Sequence, residues 1–130
     1  MIIKIEFDSE IPIYEQLKRQ MIIGIANGEM KRGERLPSIR QLGEDLGINL
    51  HTVRKTYNIL KDEGYVSMDR RNGAEIREVF DVGIEDFEKL INSDLEYLIA
   101  NAKNRGMKEK DLLKLFSSYY ESFKGGIGDE

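Results

Sequence analysis

Residues 33–65, which read GERLPSIRQLGEDLGINLHTVRKTYNILKDEGY, predict two short helices joined by a tight turn. Ser38, with Gln41 three residues later, makes a capping box that begins the first helix. Residues 47–49 supply the turn, and Asn49 is a good N-cap for the second helix. Gly64 then ends the second helix at the position where glycine is usual. Two helices joined by a short, glycine-containing turn are the helix-turn-helix signature.

In a helix-turn-helix, the second helix lies in the DNA major groove and its first residues face base edges. The first two turns of the second helix carry four polar side chains that suit this role: His51, Thr52, Arg54 and Lys55. Two interpretations stay open for His51, a DNA-facing residue or a plain exposed side chain. Lys55 is either a phosphate contact or a solvated side chain.

The hydrophobic period changes after Gly64. Residues 65–68 and 74–77 alternate as strands do, and Asn72-Gly73 is a strong hairpin signal. The hairpin predicts a wing whose tip is flanked by Arg70 and Arg71, well placed for phosphate or minor-groove contact. Upstream, residues 13–27 keep one apolar face and predict a first helix, preceded at residues 3–7 by a strand or extended arm.

The second segment of the chain, residues 79–130, has a different pattern. Its apolar residues recur at spacings of three and four, which predicts two amphipathic helices packed as an αα-hairpin. Such a hairpin cannot bury its apolar stripe against itself, so a two-fold partner is expected to close the core. The residues predicted to form the dimer interface are Phe87, Ile91, Leu95, Leu98, Leu113, Phe116 and Tyr120. Lining of a small-molecule pocket is the other interpretation of the aromatic residues there.

The stretch LPSIRQLGEDLGINLHTVRKTYNILKDEGYV resembles the winged helix-turn-helix of the GntR-type bacterial transcription regulators. The preceding PIYEQLKRQMIIGIANGEMKRGERLPS extends the resemblance, and the opening IKIEFDSEIPIYEQL is similar to the YtrA-like subgroup. With the periodicity, this resemblance predicts a mainly α fold with a small β-wing, a winged helix-turn-helix followed by the C-terminal αα-hairpin. Residues 1–78 are then the DNA-binding domain, and residues 79–130 are a short dimerisation region, as in that subgroup.

The resemblance implies DNA contact by Ser38, Arg40, Thr52 and Arg54. Arg54 is the best candidate for a base contact, through a bidentate hydrogen bond to guanine O6 and N7. Ser38 has the alternative role of a plain N-cap, and Arg40 that of a surface ion pair with Glu44. The predicted DNA-binding residues are Ser38, Arg40, His51, Thr52, Arg54, Lys55, Arg70, Arg71 and Gly73.

Two departures from the family pattern bear on DNA binding. The family wing usually reads Gly-x-Gly-Thr-Phe-Val, whereas residues 71–76 keep only Gly73 and place Glu75 at the aromatic position. A carboxylate near the tip would repel phosphate if it pointed there, which puts the wing's contribution in doubt. Leu50 stands where the family usually has a polar residue, and it either contacts a thymine methyl or packs against helix two.

Charge and composition narrow the possible functions. The formal net charge is −4, with 13 basic and 13 acidic residues in 1–78 and 7 against 11 in 79–130, so a local basic surface is the relevant feature. With no cysteine, one histidine and no phosphate-binding glycine loop, we expect no enzyme, no metal site and no cofactor. The start of the chain is no signal peptide and no segment is long enough to span a membrane, so we expect a cytoplasmic protein.

These features predict a homodimeric, sequence-specific transcription regulator, most simply a repressor. Its double-stranded DNA operator would be a near-palindrome with half-sites on the order of 10 base pairs apart. The resemblance also implies release by a small-molecule effector, although the sequence contains no recognisable ligand-binding constellation. The alternative hypothesis is a winged-helix protein-interaction module without specific DNA binding, favoured by the net acidity and the altered wing.

Overall fold

The computed structural model describes residues 2–71, 73–80 and 83–123. The chain divides into two compact units, whose described parts are residues 2–80 and 83–123. The elements are, in chain order, α1 (Ile13–Ala26), α2 (Ile39–Leu46), α3 (Leu50–Asp62), β1 (Val66–Asp69), β2 (Gly73–Ile76), α4 (Ile84–Asn104) and α5 (Glu109–Ser122). The predicted fold class, mainly α with a β-wing and two C-terminal helices, is confirmed.

The ends of α2 and α3 follow the local sequence signals. Ser38 Oγ accepts a hydrogen bond from the Gln41 amide at 3.0 Å. The other half of the predicted capping box is wrong, because the Gln41 side chain donates instead to Asp45 Oδ1 at 2.8 Å. Asn49 caps α3, and Gly64 follows it with a φ of 90°, a left-handed conformation that glycine adopts without strain.

The core of the first unit lies between α1, α2, α3 and the wing. Two buried side-chain hydrogen bonds fix α3 within it: Thr56 Oγ1 donates to the Tyr14 carbonyl at 2.9 Å, and the Tyr57 hydroxyl donates to the Pro37 carbonyl at 2.7 Å. Burial raises the pKa of the Tyr57 phenol, which therefore stays a protonated donor. The buried apolar residues are Leu17, Met21, Ile25, Met30, Leu36, Leu42, Val53, Tyr57, Leu60, Val66, Ala74 and Ile76.

The wing has a third, shorter strand-like segment. β1 and β2 are antiparallel, with Val66 opposite Ile76 and Asp69 opposite Gly73. The backbone of residues 33–36 pairs with β2 on its other side through bonds such as Leu36 N to the Ala74 carbonyl, 2.8 Å. β2 is therefore a central strand. Asn72 of the predicted turn lies outside the described residues.

The described residues of the N-terminal arm, 2–7, form neither a helix nor a strand. Two glutamines of α1, one turn apart, hold its backbone. Gln16 accepts from the Glu6 amide at 2.9 Å and donates to the Glu6 and Ile11 carbonyls at 2.9 and 2.8 Å. Gln20 accepts from the Lys4 amide at 2.9 Å and donates to its carbonyl at 2.7 Å. The arm thus bonds to helix side chains in place of a neighbouring strand.

Replacing Gln16 by alanine is expected to release this arm. The three hydrogen bonds of Gln16 are partly buried, so their loss should lower the free energy of unfolding by about 1–3 kcal/mol and remove the hydrogen-exchange protection of the Glu6 amide. Gln20→Ala is the matched control, because its bonds are exposed and involve Lys4 instead. Equal exchange of the Glu6 amide in the two variants would contradict the assigned role of Gln16.

The second unit consists of α4 and α5. Gly106, with a φ of 84°, follows α4, and the Met107 amide bonds back to the Ala102 carbonyl at 3.0 Å, which ends the helix. In the described segment 83–123, no residue of α4 or α5 is buried. Throughout the described residues, no helix has the length and apolar character needed to cross a membrane.

Candidate nucleic-acid interface

α3 has one face in the core and one in solvent. Its buried residues are Val53, Thr56, Tyr57 and Leu60. The opposite face carries an exposed stripe at helical spacing, which consists of Leu50, His51, Arg54, Lys55 and Asn58. Because Thr56 and Tyr57 are hydrogen-bonded to α1 and to the loop before α2, this stripe is held in a fixed orientation.

Arg54 lies in the middle of the exposed stripe. Within the described residues, no carboxylate is within 4.0 Å of its guanidinium, so all five N–H donors remain available. His51 lies one turn earlier, its side chain exposed and its amide bonded to Asn49 Oδ1 at 2.8 Å. Both positions lie in the first two turns of the helix, where a recognition helix contacts base edges.

Thr52 and Lys55 pack against other parts of the protein, which the sequence does not indicate. Thr52 is half-buried beside the stripe. The Lys55 ammonium lies 3.8 Å from the centroid of the Tyr14 ring, a cation–π contact between α3 and α1. Lys55 is therefore not a freely solvated side chain, and its contact with Tyr14 leaves the charge on the exposed side of α3.

One side of α2 and the start of α3 border the same hollow. Arg40 and His51 line the same open hollow, of about 550 Å³, so the structure brings together residues of both helices. The other lining residues are Gly43, Glu44, Gly47, Ile48, Asn49 and Leu50. The alternative ion pair between Arg40 and Glu44 is absent, since the described ion pairs involve only residues of α1 and Glu63. Ser38 is exposed, although its hydroxyl also caps α2.

The wing tip presents basic side chains. Arg70 and Arg71 are exposed, and the Arg71 amide bonds to Asp69 Oδ1 at 2.7 Å. Gly73 begins β2 with a φ of 72°, and no atom lies within 4 Å of the place a Cβ would occupy there. Glu75 is half-buried and lies opposite Ser67, on the face of β2 away from the buried Ala74 and Ile76. Its carboxylate therefore belongs to the outer face of the wing.

Not every basic residue of the first unit is free to meet a ligand. The Arg32 guanidinium lies 4.7 Å from the centroid of Phe80, whose ring makes an edge contact with Tyr65 at 5.3 Å. Arg32 thus holds the chain just after the wing. The exposed basic residues of the first unit include Arg35, Arg40, Arg54, Lys55, Arg70 and Arg71. Such a group can bind phosphates despite the acidity of the whole chain.

Asn58 is a polar residue of the exposed stripe that the sequence interpretation did not single out. It follows Arg54 by four positions and His51 by seven, so the helical period alone places the three on one face. Its amide has the donor and acceptor that suit the N6 and N7 atoms of adenine.

The predicted dimerisation residues lie on α4 and α5. Ile91 and Leu95 are half-buried within the second unit. The other five are exposed by 42–64%, and they are Phe87, Leu98, Leu113, Phe116 and Tyr120. An open groove of about 580 Å³, with Ile99, Leu112 and Phe116 among its lining, runs between the two helices. Neither α4 nor α5, each described in full, contains a buried residue.

Known proteins are similar to this chain in sequence and in fold. Residues 13–76 match the family model of bacterial regulatory proteins, gntR family. The chain is 34% identical over 125 residues to the HTH-type transcriptional repressor YtrA of Bacillus subtilis, which covers 95% of this chain and 96% of that protein. The solved structure of YtrA from Sulfolobus acidocaldarius, a GntR-family transcription factor, is 40% identical with a TM-score of 0.61, covering 74% of this chain and 99% of its own. A transcriptional antiterminator structure from Listeria monocytogenes, 24% identical, shares the fold with a TM-score of 0.83 over 97% of this chain and 95% of its own.

Proposed function

The chain belongs to the gntR family of bacterial regulatory proteins, DNA-binding transcription regulators and not enzymes, and we propose that it is a homodimeric repressor of a near-palindromic operator. The observation that carries this proposal is the exposed stripe of α3, centred on Arg54, which makes no ion pair with any described residue. Family membership favours this function over a protein-interaction module without specific DNA binding.

Each group of predicted residues has a role in the proposed complex. Arg54 and Thr52 read bases in the major groove, and His51 faces the same groove. Backbone phosphates are held by Ser38 and Arg40 at the start of α2, by Lys55, and by the wing residues Arg70, Arg71 and Gly73. The exposure of the wing arginines supports a phosphate contact at the tip.

The second unit supports the proposed dimer. A pair of helices with no buried residue leaves its apolar side chains in water unless another surface covers them. A second copy offers the same apolar stripe, and a two-fold interface is self-complementary. Residues 1–78 would then be the DNA-binding domain and residues 79–130 the dimerisation region. The two recognition helices would contact half-sites on the order of 10 base pairs apart.

Repression is proposed because the Bacillus relative is a repressor. Occupation of a promoter by the dimer is the simplest route to it, and the cytoplasm is where such an operator is found. A small-molecule effector that releases the DNA stays a prediction from the family resemblance.

Selection from a pool of random duplexes tests the proposed function. The full-length protein is expected to enrich a near-palindrome, and its affinity should fall steeply as salt rises. The slope of log K against log salt, about −0.9 per phosphate contact, counts the phosphates that are neutralised. Equal weak binding of selected and scrambled duplexes would contradict sequence-specific recognition.

Arg54→Ala is expected to weaken binding to the selected duplex by about 1–3 kcal/mol per half-site, because a bidentate base contact is lost. Arg19→Ala is the matched control. Arg19 lies on α1, paired with Glu15 at 2.8 Å, and its neighbour Lys18 faces Glu63 at the far end of α3. Fluorescence anisotropy with both variants gives the comparison. Arg54→Ala with the affinity of the control would remove Arg54 from the proposed interface.

A further inference from the structure

Leu50 is an apolar side chain in a polar surface. It is the first residue of α3, directly after the Asn49 cap, and 37% of it is exposed. Its neighbours on the exposed stripe, His51 and Arg54, are polar. A single exposed leucine is common on protein surfaces. This one, however, is the first residue of the helix that carries the exposed stripe.

The Leu50 side chain packs against Gly43 of α2. A Cβ built on Gly43 would lie 2.8 Å from Leu50 Cδ2, closer than real Cβ atoms approach, and 3.2 Å from the Ile48 carbonyl oxygen, a tight contact. Glycine costs about 1 kcal/mol against alanine inside a helix, and here it leaves the space that Leu50 occupies. Of the two interpretations of Leu50, packing against helix two is therefore observed.

This packing accounts for one side of Leu50 only. The contact with Gly43 restricts the orientation of the Leu50 side chain. The rest of its surface faces the hollow that Arg40 and His51 also line. A held apolar group at the start of a recognition helix can meet few apolar partners in DNA. The major groove offers one, the C5 methyl of thymine.

We propose that Leu50 reads one thymine in each operator half-site through its C5 methyl group. The proposal rests on the proposed function, since it needs α3 in the major groove. Arg54 lies one turn after Leu50, so the thymine belongs beside the base pair that Arg54 contacts. Gly43 acts indirectly, as the residue that permits this position of Leu50.

The test replaces thymine by deoxyuridine, which pairs identically but lacks the methyl group. With the full-length protein and the duplex it selects, each thymine is replaced singly. One position per half-site is expected to weaken binding, by roughly fourfold, as the burial of one methyl-sized group predicts. Loss of both methyls should weaken binding by roughly fifteenfold.

A double substitution separates Leu50 from other causes. Leu50→Ala should bind the thymine and deoxyuridine duplexes equally, and this ratio does not depend on how much of the variant is folded. Lys61→Ala, an exposed residue in the last turn of α3, should keep both the affinity and the ratio of the wild type. Two results overturn the proposal and leave the proposed function standing. One is a wild-type affinity that no deoxyuridine substitution changes, and the other is an affinity loss with deoxyuridine that persists in Leu50→Ala. Failure to select any duplex overturns the proposed function itself, and this inference with it.

Discussion

Replacing Leu98 and Leu113 together by aspartate is expected to produce a monomer that binds the two-half-site operator on the order of 10²–10⁴-fold more weakly than the wild type. The proposed dimer links two DNA-binding domains, so the second half-site is bound at a high effective concentration. A monomer loses that advantage and keeps only the contacts of one half-site.

These two positions are chosen because they should not disturb the fold of the second unit. Leu98 is 44% exposed and Leu113 is 56% exposed, whereas Ile91 and Leu95 are half-buried within the unit. A carboxylate at an exposed position stays solvated in the monomer. In a two-fold interface each charge would be desolvated, at a cost of several kcal/mol per ion.

Sedimentation equilibrium measures the oligomeric state, and fluorescence anisotropy measures binding to one and to two half-sites. The matched control is the double variant Asn92→Asp and Ser93→Asp, which adds the same charge at exposed polar positions of α4. The leucine variant should match the control on a single half-site and differ on the full operator. A leucine variant that still sediments as a dimer would mean that the apolar stripe is not the interface.

The helix boundaries were predictable because their signals are local. Ser38, Asn49 and Gly64 each act within a few residues of their own position, through a hydrogen bond or a left-handed φ. The exposed stripe of α3 is equally predictable, because the helical period alone separates His51 and Arg54 from the buried residues.

Contacts between distant parts of the chain were not predictable. The Gln16 side chain bonds to the backbone of Glu6, ten residues away. From the sequence alone, a solvated Gln16 side chain is an equally good interpretation. Residues 33–36 pair with β2 about forty residues later in the chain. Apolar and polar residues do not alternate in this segment, so the sequence does not predict a strand there. The contact of Lys55 with Tyr14 depends on the packing of α3 on α1, which a sequence period does not specify.

Candidate site residues divide in the same way. Arg54 is predictable from its place in the first two turns of the second helix, where base contacts are expected, whereas Asn58 lies in the third turn. Leu50 had two open interpretations, and only the distance from Gly43 established its packing. The sequence therefore predicts which residues lie on the exposed face of a recognition helix more readily than it predicts how one of their side chains is oriented.

Leu60→Ala is expected to lower the free energy of unfolding of the first unit by about 2–5 kcal/mol. Leu60 is fully buried in the cluster formed by α1, α3 and the wing, one helical turn after Thr56, so the truncation leaves a cavity in the support of the recognition helix. For a domain of this size, each kcal/mol corresponds to roughly 4–8 °C in melting temperature. The loss is therefore a large part of the stability that a small domain has.

Lys61→Ala is the matched control, because it lies next to Leu60 on the same helix but is exposed, and its cost should stay within about 0.5 kcal/mol. Hydrogen exchange of the α1 and α3 amides is the measurement, since it reports on the first unit without contributions from α4 and α5. Saturating operator duplex should restore part of the loss, because DNA binds only the folded unit. Exchange rates in α1 that match those of Lys61→Ala would show that Leu60 does not join α3 to α1, and the fixed orientation of the Arg54 stripe would then need another explanation.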